Sequence, residues 1–250
     1  MSDIQSSLTG NSIVTDCSNN LDGLAGVVIL AGGASRRMGT AKAILTLPSG
    51  EQLLNYHVRH ANKLQVPILI ADNGRDFQTG LDIHSEEPNA PVIHIADYGT
   101  DVDSSEHDEQ IKTGGALVAI ESALQTLSDL NDLNDLGISK NVQALWLLVI
   151  SCDSLIPATD LWQKLQCEIR LAADKKVICL KDDGHLYPLL GFYQLSIEPD
   201  LKAYIDNGQR RVMQFIQPLV QAVPFSKEWQ NLTNFNTPED FKRACAALSK

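Results

Sequence analysis

Paired cysteines, a basic surface, long apolar runs and the commoner phosphate motifs are all missing from this chain, and each absence narrows what it can be. The five cysteines, Cys17, Cys152, Cys167, Cys179 and Cys245, are odd in number and scattered. No zinc or disulfide framework follows from that spacing, and a reducing compartment is the expected setting. Basic residues are outnumbered, 20 Lys and Arg against 31 Asp and Glu, for a net charge of −11. A nonspecific nucleic-acid binder needs a basic face, so that class is set aside. An anionic small ligand is not, because a few local cations override a distant, screened field. The longest strongly apolar run, Ala144 to Ile150, is far short of the ~20 residues of a membrane-spanning helix. The opening Met1-Ser2-Asp3-Ile4-Gln5 has no basic stretch leading into an apolar one, so no secretory signal is expected. A cytoplasmic protein with neither nucleic acid nor membrane as partner is the expectation.

What is present suits an enzyme-sized globule. A chain of 250 residues with 44% hydrophobic content buries enough surface to fold without a disulfide or metal staple. Residues 1–24, polar and rich in Ser and Asn, carry no helical or strand period and read as a flexible tail. From residue 25 to 250 a single domain is expected. Gly26 to Leu30 is a continuous apolar run of the kind buried on both faces of a parallel sheet. Helical spacing at Leu54, Val58, Ala61 and Leu64 precedes strand runs at 67–71 and 92–96. A helix face at Leu117, Ile120, Leu124 and Leu127 then leads to the strongest strand, 144–150. Another helix (Leu161, Leu165, Ile169, Ala172) and strand (177–180) follow. Such alternation predicts an α/β, Rossmann-like three-layer fold with a mostly parallel sheet. Asp182-Asp183-Gly184 reads as a turn into an antiparallel element at 189–193, and Thr237-Pro238-Glu239-Asp240 as a capped helix start. Two acidic stretches, near 98–112 and 128–140, read as inserted surface loops.

The chemistry concentrates where the first strand ends, in Leu30-Ala31-Gly32-Gly33-Ala34-Ser35-Arg36-Arg37-Met38-Gly39-Thr40-Ala41-Lys42. That loop belongs at the carboxyl edge of the sheet, where open α/β sheets bind ligands. Gly32 and Gly33 leave backbone N–H groups accessible to a phosphate, and Arg36, Arg37 and Lys42 supply charge. It is neither a Walker loop, since Gly39 is followed by Thr40-Ala41-Lys42, nor a dinucleotide fingerprint. A glycine-rich surface turn with solvated cations is the bland alternative. Asp153, ending the strongest strand, offers the hard oxygen that Mg2+ requires, or else merely caps a turn. Asp97 ends another strand, and Asp72-Asn73 a third. His94 lies in a strand and His185 beside a turn, and neither reads as a catalytic histidine.

These residues closely resemble the opening motif of the molybdenum cofactor guanylyltransferases. The similarity extends to Gly208-Gln209-Arg210-Arg211-Val212-Met213 and to Asn234-Phe235-Asn236-Thr237-Pro238-Glu239-Asp240. The resemblance implies a nucleotidyltransferase that moves GMP from Mg-GTP to molybdenum-molybdopterin and releases pyrophosphate. It implies transient contacts with cofactor-delivering proteins or molybdoenzymes. It would place Leu30, Ala31, Gly32, Gly33, Lys42, Asn73 (or Asp72), Asp97 and Asp153 on GTP, with Asp153 also on Mg2+. Arg37 and Lys42 would join Asp153 in catalysis, and Arg210, Arg211, Asn234 and Asn236 would line the pterin side. Two segments depart from the family pattern: Ala41 stands where an Asp usually precedes the lysine, and Gly115-Ala116-Leu117-Val118-Ala119 replaces a usual Gly-Pro-Leu-Ala-Gly. Both bear on the base pocket. A relative using CTP or a sugar phosphate acceptor, and a catalytically silent GTP-binding relative, therefore stay open, as does an interaction module built on the acidic stretches.

Overall fold

The apolar runs assemble into one seven-stranded sheet in the order β3-β2-β1-β4-β6-β5-β7. The computed structural model describes residues 21, 23–33, 35, 37–80, 90–98, 115–134, 145–172 and 174–248. In chain order the elements are β1 (Leu24–Leu30), α1 (Leu53–Asn62), β2 (Ile68–Ala71), β3 (Val92–Ile95), α2 (Ala116–Asn134), β4 (Trp146–Ser151) and α3 (Ala158–Leu171). They continue with β5 (Val177–Lys181), β6 (Leu186–Gln194), α4 (Glu198–Asp206), α5 (Val212–Ile216), β7 (Val220–Pro224) and α6 (Pro238–Leu248). Neighbouring strands run parallel except where β6 lies antiparallel to β4 on one side and β5 on the other.

Side-chain alternation along the central strands divides the core into two layers. Val27 and Ile29 of β1, with Leu148 and Ile150 of β4, face a cluster that includes Leu54 and Val58 of α1 and Leu161 and Leu165 of α3. Val28, Leu147 and Val149 face the other side, against Leu117, Ile120 and Leu124 of α2 and Leu201 of α4. All of these are fully or almost fully buried, which is why β1 and β4 read as continuous apolar runs rather than alternating ones.

Several expectations shift. α2 runs on to Asn134, into the acidic stretch read as a loop from 128. Leu127 and Leu130 continue its apolar face, so the Asp-Leu-Asn repeat extends the helix. The rest of that stretch, residues 99–112 of the other one and residues 1–20 lie outside the described residues. α4, α5 and β7 are additions to the elements read from sequence. Cys152, Cys179 and Cys245 are free thiols, whereas Cys167 is disulfide-bonded, which the scattered spacing does not disclose.

β6 carries an irregularity near the site. Its pairing with β5 jumps from Cys179↔Gly191 to Leu180↔Tyr187, leaving Pro188, which has no N–H to donate, inside the bulge. Gly191 is required beside it, because a Cβ there would sit 2.2 Å from the Ile178 carbonyl oxygen. Leu189 lies within the same bulge.

Glu121 on α2 is completely buried, with the Glu198 side chain as its hydrogen-bonding neighbour. Burial first, then the negative charge of Glu198, pushes its pKa up to about 7, while Lys202 opposes and Asp206 adds to the rise. From an ordinary value of 4.5 up to about 7, the unfolded chain gives up a proton that the folded chain keeps. Stability therefore falls as pH rises through that window and is flat above it. Glu121→Gln should raise the melting temperature at pH 8, by an amount equivalent to at most about 3 kcal/mol, and the gain should vanish below pH 4.5. Thermal melts of both proteins across pH 4 to 8 test this.

Candidate active site

β1 and β4 are parallel neighbours whose chain connections leave in opposite directions across the sheet, a topological switch point that opens a crevice at their carboxyl ends. A cavity of about 370 Å³ occupies that crevice. Leu30, Ala31, Gly32, Gly33, Ser35, Arg37 and Lys42 line it from the loop after β1. Asn73 follows β2, Asp97 follows β3, and Ser151, Cys152 and Asp153 end β4. Gly115, Ala116 and Ala119 close one wall from the start of α2, with Leu189 and Asn236 completing it.

The loop after β1 is held from within. The Ser35 hydroxyl donates to the Gly33 carbonyl and accepts from the Lys42 N–H, both at 3.3 Å. The Ser35 carbonyl accepts from the Met38 and Gly39 amides, and buried Met38 pins the far side into the core. Gly32 lies against the next loop: a Cβ there would come within 3.1 Å of Asn73 Cβ, whereas one on Gly33 would meet nothing within 4 Å. Gly33 thus owes nothing to packing and leaves its backbone open to the cavity. Arg36 lies outside the described residues.

Lys42 stands at the centre of the charge arrangement. Its Nζ donates to Asn236 Oδ1 at 2.8 Å, lies 3.8 Å from Asp153 Oδ2 and sits 5.7 Å from the centre of the Phe235 ring. Burial lowers its pKa from 10.5, and the Asp153 charge works against that fall. Asp153 is held by its neighbour, Ser151 Oγ donating to Oδ1 at 2.6 Å, which leaves Oδ2 on the Lys42 side. Burial pushes the Cys152 thiol up to about 12, so this cavity-lining cysteine is a neutral spacer and not a nucleophile. A carboxylate with one oxygen oriented and the other facing a phosphate-sized cavity suits Mg2+, which takes one or two carboxylates and fills its shell with water and substrate oxygens.

The second strand's two polar residues separate cleanly. Asn73 lines the cavity, with its Nδ2 buried and without a partner, while Asp72 is turned away and buried. Asp72, Asp76 and His94 bring ligand-type atoms within 4.8 Å of one another. Both Asp72 oxygens, however, already accept bonds from Gly74 N–H, Phe77 N–H and His94.

The residues grouped by sequence on an acceptor side are not together. Asn236 is inside the cavity on Lys42, and its Nδ2 donates to Asn234 Oδ1 at 2.9 Å, so Asn234 sits one step behind it. Arg210 and Arg211 are absent from the cavity lining. Arg210 Nη1 instead donates to the Ile205 and Gln209 carbonyls, and Arg211 is the residue before α5. Ser35, Ser151 and Leu189 are cavity residues that sequence reasoning missed. Ser151 was legible as the residue two before Asp153, while Leu189 depends on the β6 bulge.

The chain has relatives among known proteins. The family model described as MobA-like NTP transferase domain matches residues 27–223. A molybdenum cofactor guanylyltransferase of Haemophilus influenzae is 30% identical over 220 residues, covering 86% of this chain and 95% of the relative. A probable molybdenum cofactor guanylyltransferase of Synechococcus elongatus is 29% identical over 223 residues, with the same coverage. The crystal structure of molybdopterin-guanine dinucleotide biosynthesis protein A from Archaeoglobus fulgidus has the same fold, with a TM-score of 0.60 at 23% identity, covering 90% of this chain and 98% of that one.

Because a methyl on Gly33 meets only open cavity, Gly33→Ala should leave the melting temperature unchanged. Its affinity for a nucleoside triphosphate, read by calorimetry, should fall about tenfold or more as the methyl holds phosphate off the backbone.

Proposed function

Because this chain belongs to the MobA-like NTP transferase family, we propose that it transfers GMP from Mg-GTP to molybdenum-molybdopterin and releases pyrophosphate. The observation that carries this reading is the convergence on one cavity of the Leu30–Gly33 loop, Arg37, Lys42, Asn73, Asp97 and Asp153. The names of the relatives support guanine and the pterin acceptor.

The acceptor's terminal phosphate attacks the α-phosphorus of GTP in line, a new P–O bond forms, and the bond to the β,γ-pyrophosphate breaks. A phosphate monoester is already ionised near neutrality, with a second pKa of ~6, so no strong general base is needed. That agrees with a cavity whose described lining contains no histidine. Catalysis is then positioning and charge neutralisation. The open backbone at Gly32 and Gly33 orients the triphosphate, and Arg37 and Lys42 take up the charge of the departing pyrophosphate. Asp153 would hold Mg2+, which would supply Lewis-acid neutralisation of the phosphate oxygens. Asn236 steers Lys42 toward the phosphates and links it to Asn234, which places the acceptor on the side of the closing segment. Arg210 reaches the acceptor's far end only by giving up its bonds to the Ile205 and Gln209 carbonyls. Among the described residues no helix is long and apolar enough to cross a membrane, in keeping with chemistry on water-borne substrates.

The segment 115–119 departs from the family pattern and lines the cavity through Gly115, Ala116 and Ala119, so the base is tested directly. Pyrophosphate release is measured with GTP, ATP, CTP and UTP, each with and without molybdenum-molybdopterin. Release should require GTP and the pterin together, and kcat/KM should fall about a hundredfold or more in Asp153→Ala. Turnover with another triphosphate would reassign the base. A folded protein that binds GTP without releasing pyrophosphate would make it a silent relative.

A further inference from the structure

The turn that carries Asn73 is built in a way that its own sequence does not secure. Asn73, Gly74 and Asp76 all have left-handed backbone, with φ of 58°, 68° and 48°, and two of these are not glycine. Asn and Asp tolerate such angles better than most residues, yet a turn holding both needs an external restraint. Asp72 supplies it from a position almost wholly out of solvent. Its Oδ1 accepts the Gly74 N–H at 3.1 Å, and its Oδ2 accepts the Phe77 N–H at 3.1 Å. The third partner is His94 of edge strand β3, whose Nδ1 lies 2.9 Å from the same Oδ2. A carboxylate has no hydrogen to give, so His94 carries the proton on Nδ1.

The turn in turn touches the phosphate loop. Asn73 Cβ is the atom that a side chain on Gly32 would meet, and Arg75 Nη1 donates to the Gly33 carbonyl at 3.2 Å. Within the cavity, Asn73 Nδ2 is a buried donor without an acceptor.

We propose that Asp72 and His94, neither of which lines the cavity, are positioning residues that fix the 72–77 turn so that Asn73 meets the base end of the nucleotide. This rests on the nucleotide reading above and extends it. The alternative use of Asp72, Asp76 and His94 as a cation site is disfavoured, because an ion would displace the N–H donors that shape the turn. The ligand sensitive to the pair is the nucleoside, and a bare polyphosphate held by the loop after β1 is largely indifferent to it.

The test compares wild type with Asp72→Asn, Asp72→Ala, His94→Phe and His94→Gln, the last keeping an N–H donor near the same place. His94 is about one-third exposed on an edge strand, so its variants should fold even if Asp72→Ala does not. Hydrogen exchange of the ligand-free proteins should show faster exchange at Gly74 and Phe77 in the Asp72 variants and in His94→Phe. In calorimetry and kinetics those variants should weaken Mg-GTP binding and raise KM about tenfold or more, as expected for losing a charge-assisted bond. The affinity for inorganic tripolyphosphate and kcat should change by less than about threefold, and His94→Gln should recover most of the loss. Equal losses for GTP and tripolyphosphate, or a loosened turn with unchanged GTP affinity, would overturn the proposal. So would protection of these amides that requires added Zn2+ or Mg2+, which would make the cluster a cation site. Wild type that protects these amides yet binds no nucleotide would sink the nucleotide reading itself, separately from the turn's construction.

Discussion

The site depends on one register, the parallel pairing of β1 with β4 that sets Leu30 beside Ser151. The Cys152 N–H extends it by one bond to the Leu30 carbonyl at 3.2 Å. Through that pairing a glycine loop and an acidic turn, more than a hundred residues apart in the chain, leave the sheet side by side. A slip of one residue would exchange the faces of every side chain on β4. Leu148 and Ile150 would then trade layers with Leu147 and Val149, all of them fully buried. Core packing and site geometry are therefore enforced by the same hydrophobic constraint, and neither can drift alone.

A second closure brings in the end of the chain. Leu155 N–H donates to the Leu232 carbonyl at 2.7 Å, and Phe235 N–H to the Asp153 carbonyl at 3.3 Å, with an antiparallel bridge between Ser154 and Thr233. The start of α6 tightens this. Asp240 accepts the Asn236 and Thr237 amides while Thr237 Oγ1 accepts the Asp240 amide, a reciprocal cap. From the opposite side, Tyr56 of α1 donates to the Leu155 carbonyl at 2.9 Å. The turn bearing Asp153 is thus clasped by α1 and by the segment before α6, and Lys42 meets Asn236 because both are anchored to it. In a water-poor cavity, fixed dipoles and charges of this kind act without reorganising.

The fold's legibility followed burial. β1 and β4 could be read because strands covered on both faces are unbroken apolar runs, and α1, α2 and α3 because their core faces recur at helical spacing. α4 passed unread although Leu201 and Ile205 sit four apart and Pro199 lies in its first turn: Glu198-Pro199-Asp200 looks like loop composition. β7 ends in a proline and lies at the sheet edge, where the local pattern is weakest. For the candidate site, the residues that follow strand ends were legible, since topology sends them all to one edge. Asn236 meets a lysine 194 positions away, a contact that no local pattern encodes. Arg210 and Arg211 were grouped with the acceptor by motif alone, and the Arg210 side chain serves the α4–α5 connection.

The contrast between a chain of net charge −11 and a cavity suited to triphosphate is settled by distance. Charges beyond about 10 Å are screened at ordinary ionic strength, so the acidic exterior contributes little at the loop after β1. What acts there is local: Arg37 and Lys42 against Asp97 and Asp153, in partial burial where each charge counts for more. Lys42 is shared between Asn236 and Asp153, which keeps a buried ammonium paired and keeps Asp153 from standing alone. Under the proposed function, a polyphosphate entering the cavity would compete for that same ammonium, so binding would exchange one set of partners for another. On that reading, the cavity's affinity for anions would be tempered by the contacts it gives up, and release of a pyrophosphate product would be eased by their return.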